Sequence, residues 1–240
     1  MEREHTVQLI TVSREFGAGG SDLAADLGRR LDWPVLDREI VHRVAEQLRL
    51  DERTVQHFDE HPPSLLARIA TVLIVSQPDI YSFPSDSDCP SHDAIAVATR
   101  RVIETMAASG PLIVVGHGAQ CIFAGRPDAL HVRLVAPLGA RLSRVTRRMA
   151  IDAAFAATLI HRADRDRQAW IQRYFHHDWR SDQLYDLQIN TGRVTIEEAS
   201  DIVERVVRAR MPEADQLRTA PPATSAVDST ISYRSAGEDR

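Results

Sequence analysis

The chain has 240 residues, 43% of them hydrophobic, and a formal net charge of −5. That size and apolar share suit one domain of ordinary size with a real core, extended by a lid or a tail. The negative balance argues against broad nucleic-acid binding, which needs a basic face. Two cysteines, Cys89 and Cys121, form no disulfide framework and match no zinc spacing. The charged residues before Val7 do not read as a signal peptide, and the longest apolar stretches, near Leu65–Val75 and Leu112–Val115, are too short to span a membrane. Together these features describe a cytoplasmic enzyme or binding protein of unspecified oligomeric state.

In chain order, Val7–Val12 reads as a buried strand. It is followed at once by a glycine-rich turn, Gly17-Ala18-Gly19-Gly20-Ser21, and then by a helix over Ser21–Leu31. Ser21 is its expected N-cap, and Leu23, Leu27 and Leu31 form its core stripe. Pro34–Leu36 is a short extended segment, and Asp37 caps a second helix running to about Leu48. Asp51–Phe58 and Ser64–Ser76 carry helical spacing, whereas Gln77–Ser91, punctuated by three prolines, reads as a loop. A helix from Ser91 through Ala108 ends at Gly110-Pro111. The continuous apolar run Leu112–Val115 has the character of a central parallel strand. Leu130–Val135 is a strand, Leu138–Met149 and Ala153–Phe175 are helices, Leu187–Asn190 is a last strand and Ile196–Met211 a last helix. Residues 213–240, rich in Pro, Ser, Thr and Ala, read as a disordered tail. Strands alternating with helices predict an α/β fold on a parallel sheet.

The turn after the first strand has the build of a phosphate cradle. Glycines let backbone N–H groups turn inward, and the following helix offers its positive end to an anion. Against the pattern G-x-x-x-x-G-K-[ST], Arg14 replaces the first glycine, Gly19 fits, Gly20 replaces the lysine and Ser21 supplies the magnesium-binding hydroxyl. Glycines that merely allow tight strand-to-helix packing are the competing explanation. The chain contains no lysine, so all 29 basic residues are arginine. Any cation at a phosphate must therefore be a guanidinium, which binds phosphate well but is too bulky for the place of Gly20. Arg14 is the residue able to fold back over the loop. A second glycine turn, Gly116-His117-Gly118, also follows a strand and should lie at the same sheet edge, with His117 facing a ligand or held in the turn by a hydrogen bond. Arg162 and Arg165, three residues apart on a helix, suit a closing anion clamp or a salt-bridged solvated face. His161, His176, His177 and Asp178 lack a zinc pattern.

Several of these segments, in this order, resemble the cytidylate kinase-like proteins, relatives of bacterial cytidylate kinase. They are Ile10–Gly20, Val114–Ala119, His131–Pro137 with Arg141, Arg162–Arg167 and Tyr185–Thr191, and the resemblance spans roughly residues 7–208. It implies a P-loop NTPase-type parallel sheet flanked by helices, with an NMP-binding insertion over about 37–110 and an arginine-rich helical lid over about 150–182. It further implies ATP as phosphoryl donor with Mg²⁺ and a nucleoside monophosphate, CMP or dCMP, as acceptor. Gly17, Gly19, Gly20 and Ser21 match the phosphate loop, with Ala18 between them. Asp37 and Arg43 match the acceptor site, and Arg162, Arg165 and Arg167 match the lid. Gly116-His117-Gly118 stands where cytidylate kinases carry Gly-Arg-Asp, removing a phosphate-binding arginine and a sugar-binding aspartate. A nucleotide-binding regulator without catalysis, a kinase of a non-nucleotide acceptor and an interaction module that recruits partners through the tail are the alternatives. Neither nucleic acid nor membrane is an expected partner.

Overall fold

The computed structural model describes residues 6–37 and 92–210, with the side chains at 92–96 and 98 left out. Five parallel strands form one sheet in the order β2-β3-β1-β4-β5: β1 is Leu9–Arg14, β2 Val35–Asp37, β3 Leu112–Val115, β4 Ala129–Val135 and β5 Leu187–Asn190. The helices are α1 (Gly20–Leu31), α2 (His92–Ala108), the short α3 (Ala119–Ile122), α4 (Leu138–Met149), α5 (Ala153–Phe175) and α6 (Ile196–Ala209). β1 is central, pairing Leu9–Val12 with Leu112–Val115 on one side and Leu9–Arg14 with Ala129–Leu134 on the other. Parallel strands of one sheet end at one edge, so the segments leaving β1, β2 and β3 emerge side by side.

The core has two layers. Ile10, Val12, Ile113, Val115, Leu130, Val132 and Leu134 pack against Leu23, Leu27 and Leu31 of α1 and Ala199, Val203 and Val207 of α6. On the opposite face Leu9, Leu36, Leu112 and Val114 meet Val102, Ile103 and Met106 of α2 and Ala119 and Phe123 around α3. Continuous apolar strands are what a sheet covered on both faces requires.

Most elements lie within a residue or two of their predicted limits, and the differences have local causes. β1 begins and ends two residues later than predicted, because its pairing with β4 runs on to Arg14. The N-cap of α1 is Gly19 at φ 88°, and the Ser21 hydroxyl bonds to Asp37 across the sheet edge instead of capping the helix. Asp37 itself is the last residue of β2. α3 was not expected; four residues are too few to show a period. α6 starts after Thr195, whose reciprocal bonds with Glu198 form a capping box, and it ends at Ala209. The expected helices over 37–48, 51–58 and 64–76, the loop 77–91, the Ser91 cap, the acceptor-site Arg43 and the tail 213–240 lie outside the described residues.

Part of the second face, over β1, β4 and β5, is covered by polar and aromatic groups. Trp179, 2% exposed, donates its indole N–H to Ser13 Oγ at 2.8 Å, and the Tyr185 hydroxyl donates to the Trp179 carbonyl at 2.8 Å. Between these two rings lies the buried Arg133 guanidinium, 5.2 and 5.5 Å from their centroids. Burial pushes the Tyr185 hydroxyl up to about 12 and the Cys121 thiol up to about 11. Both groups are held neutral in the fold beyond the pH at which they ionise in an open chain, so their contribution is complete at neutral pH and drains away as alkali ionises them. The midpoint of thermal unfolding should be flat from about pH 7 to 8.5 and fall from about pH 9 upward, with Cys121→Ala flattening the first part of the fall. A midpoint unchanged up to about pH 11 would contradict this account.

Candidate phosphate site

The loop leaving β1 is shaped from outside. Gly19 takes a left-handed conformation that admits glycine readily, and a Cβ there would come within 2.5 Å of Ile196 Cδ1. A Cβ on Gly17 would lie 2.9 Å from Val145 Cγ2 of α4. Tight packing thus accounts for part of the glycine content. It does not account for where the peptide groups point. The Phe16 carbonyl accepts from Arg141 Nη1 (3.4 Å), the Gly17 carbonyl from Arg144 Nη1 (3.4 Å) and the Ala18 carbonyl from the Thr191 hydroxyl (2.9 Å). Arg144 also donates to the Thr191 hydroxyl and carbonyl, locking the brace to the end of β5. Three successive carbonyls are therefore engaged by α4 and by the residue after β5. Leu23 N–H to the Gly19 carbonyl closes the first turn of α1, so the amides of Gly20, Ser21 and Asp22 precede it at the open, positive end of the helix.

Arg14 lies across this loop. A Cβ on Gly20 would meet its stem at Cγ (2.7 Å) and Cβ (2.9 Å), and a Cβ on Gly116 would collide with its Nη1. The side chain therefore runs from the loop to the second glycine turn, filling space that both glycines leave. Its Nη2 is 3.7 Å from Asp37 Oδ1, and Asp37 Oδ2 accepts from the Ser21 hydroxyl at 2.8 Å. Gly116, His117 and Gly118 hold φ of 81°, 57° and 73°, and His117 is half-buried at this edge. The ring of Phe175, the last residue of α5, packs on Gly118.

The sites predicted on α5 divide between two faces. Arg162 is 76% exposed, 3.8 Å from Asp166, and Arg165 is exposed as well. It is Asp164 and Arg167 that meet the loop, since they continue the buried stripe Ala156, Ile160 and Ile171. Arg167 donates to the Arg14 carbonyl at 3.2 Å and stands 5.5 Å over the Phe16 ring. Sequence reasoning placed Arg167 in the lid with Asp164 or Asp166 as a structural partner, and the structure pairs it with Asp164 at 3.4 Å; it placed Thr191 in the segment that matches the family's final strand region, and it passed over Arg144. The apolar period of α5 could have shown Asp164 on the inner face, whereas no short-range signal marks Arg144 or Thr191 as loop braces. Among the described residues, no group of three or more His, Cys, Asp or Glu side chains is placed to hold a metal ion, and no helix is long and apolar enough to cross a membrane. The Ser21–Asp37 pair offers two hard oxygen donors beside the loop, the chemistry that suits Mg²⁺ shared with phosphates.

A parallel sheet flanked by helices, with a glycine-rich loop between its central strand and a helix N-terminus, defines a P-loop protein of the kinase-like class. The chain belongs to the cytidylate kinase-like family, whose pattern matches residues 9–193. It is similar to a cytidylate kinase of Desulfurococcus amylolyticus, 31% identical over 110 residues that make up 45% of this chain and 58% of that protein. It is also similar to a protein named uronate isomerase in Corynebacterium glutamicum, 27% identical over 114 residues, 48% of this chain and 22% of that one. The matches thus span less than two thirds of either curated relative. Among solved structures, an uncharacterized protein of Eubacterium ventriosum shares the fold, with a TM-score of 0.60 and 19% identity over 83% of this chain and 97% of the other.

Gly19→Ala should destabilise the protein by about 1–3 kcal/mol in urea unfolding, through its left-handed backbone and the Ile196 contact. Gly139→Ala, in α4 with open space around it, is the control and should gain up to about 1 kcal/mol. Equal effects at the two positions would remove the packing argument for the loop.

Proposed function

We propose that this protein transfers the terminal phosphoryl group of Mg-ATP to a nucleoside monophosphate, with CMP or dCMP the acceptor that family membership favours. The observation that carries the reading is the course of Arg14, whose stem covers Gly20 at the usual lysine position and whose guanidinium reaches Gly116 and Asp37. A permanent cation thereby stands at the phosphate loop of a chain without lysine. Phosphoryl transfer asks mainly for in-line positioning and charge neutralisation. In the proposed reaction an acceptor phosphate oxygen attacks the γ-phosphorus, the bond from that phosphorus to the β,γ-bridging oxygen breaks, and ADP leaves with the electron pair. The amides of Gly17, Gly19, Gly20 and Ser21 are assigned to the donor phosphates, the Ala18 amide being taken up by the Glu15 carbonyl at 3.1 Å, and Arg14 offsets charge on the transferring group. The Ser21 hydroxyl and the Asp37 carboxylate would hold Mg²⁺, which supplies further charge neutralisation when bound. Asp37, Arg43 and His117 are assigned to the acceptor, Arg162 and Arg165 to closure over the donor, and Arg167 to the loop side of α5.

The second reading is a nucleotide-binding regulator without turnover, favoured by the glycine at the lysine position and by His117 where cytidylate kinases carry arginine. ADP release measured with Mg-ATP against CMP, dCMP, UMP, AMP, GMP and no acceptor separates the two. Acceptor-dependent release is expected, and Arg14→Ala should lower kcat by about 100-fold or more with the fold intact by circular dichroism. ATP binding without release for any acceptor would favour the regulator or a non-nucleotide acceptor. Full activity in Arg14→Ala would sink the assignment of the cation.

A further inference from the structure

One acidic side chain ties the longest helix to the phosphate loop. Asp164, 13% exposed, accepts the Phe16 N–H on Oδ1 at 2.8 Å and the Arg141 guanidinium on Oδ2 at 2.6 Å. Arg167 adds a third donor to Oδ1 at 3.4 Å while also reaching the Arg14 carbonyl. Arg141, buried in α4, spans the same point from the other side, donating to the carbonyls of Phe16 and Ala136 and lying 3.5 Å from Glu15. The Phe16 side chain is packed against the buried cluster of Val145 of α4 and Ala156 and Ile160 of α5. Both peptide groups of Phe16, and its ring, are thus held between the two helices immediately before Gly17.

We infer that Asp164 is a positioning residue of the phosphate loop, and that through it α5 and the loop hold each other in place. Arg141 and Arg167 approach the loop from two helices, and the Asp164 carboxylate, with Glu15 beside Arg141, offsets their charge and takes up the Phe16 amide. Charge-assisted bonds to a partly buried carboxylate are among the stronger ones a fold has, so the backbone at 16–17 is held before any ligand arrives. Coupling of this kind is reciprocal: whatever binds the loop steadies α5, and whatever loosens α5 weakens binding at the loop. The nucleotide part of this inference rests on the phosphate-loop reading proposed above; the mechanical part does not.

The test uses the full chain and Asp164→Asn, which keeps an oxygen for the Phe16 amide but removes the charge that balances Arg141 and Arg167. Hydrogen exchange of peptides covering 15–20 and 153–167 is read without nucleotide, and Mg-ATP affinity is read by calorimetry well below the unfolding midpoint. Expected are faster exchange over 15–20 in the variant, an ATP Kd raised about tenfold or more, and, where turnover is measurable, a KM for ATP that rises more than kcat falls. Wild-type exchange and wild-type Kd in a folded Asp164→Asn protein would overturn the inference, because a purely structural carboxylate lowers the melting temperature without moving either. Should that variant fail to fold, Arg167→Gln at a partly exposed position decides by the same exchange readout: faster exchange over 15–20 supports the inference, and unchanged exchange overturns it. If wild type binds no ATP, the proposed function falls, and the exchange comparison alone still decides the role of Asp164.

Discussion

The loop after β1 keeps its shape because its carbonyls are engaged from behind. A backbone has one donor and one acceptor per residue, and turning the donors toward an anion obliges the acceptors to face the protein. Here Phe16, Gly17 and Ala18 direct their carbonyls to Arg141, Arg144 and Thr191, contributed by α4 and by the residue after β5. The parallel pairing of β1 with β4, and of β4 with β5, brings those elements to the edge where the loop begins. Sheet order, helix placement and loop geometry are in this sense one arrangement.

Arg14 adds the charge. Two glycines far apart in sequence, Gly20 and Gly116, leave the channel in which it lies, and Asp37 from β2 receives its end. Three strand termini meet in that contact. A lysine at position 20 would start from a Cβ where the stem of Arg14 now runs, so an arginine entering from the strand and a glycine in the loop are a matched pair. This is a physical reason for the departure from the common phosphate-loop pattern. It makes Gly20 a consequence of Arg14, independent of what the protein does.

α5 illustrates how the same residues carry different weight on the two faces of a helix. Arg162 and Arg165 attract attention as a spaced cationic pair, yet they lie on the exposed face. The face that continues the stripe of Ala156, Ile160 and Ile171 carries Asp164 and Arg167, and these touch the loop. Composition counts all four charges alike. Position relative to an apolar stripe separates them.

The strands Leu112–Val115 and Leu187–Asn190 and the helices Leu138–Met149 and Ala153–Phe175 were legible to the residue, because their signals are local: continuous apolar runs, a glycine-proline break and a helical period. The glycine loop and the candidacy of Arg14 were legible too, since a strand followed by Gly17–Ser21 is a short-range pattern and the absence of lysine is a property of the whole chain. What only the tertiary structure decided is every contact made across large separations in the chain. Ser21 looked like a helix cap and instead bonds Asp37, because β2 and α1 end at one sheet edge. Thr191, though it closes a segment that resembles the family, and Arg144, which carries no motif, acquire their bracing role 173 and 127 residues from the carbonyls they hold. A sequence states which groups can donate and accept; which of them meet depends on strand order and register, and those are set by the packing of the sheet as a whole.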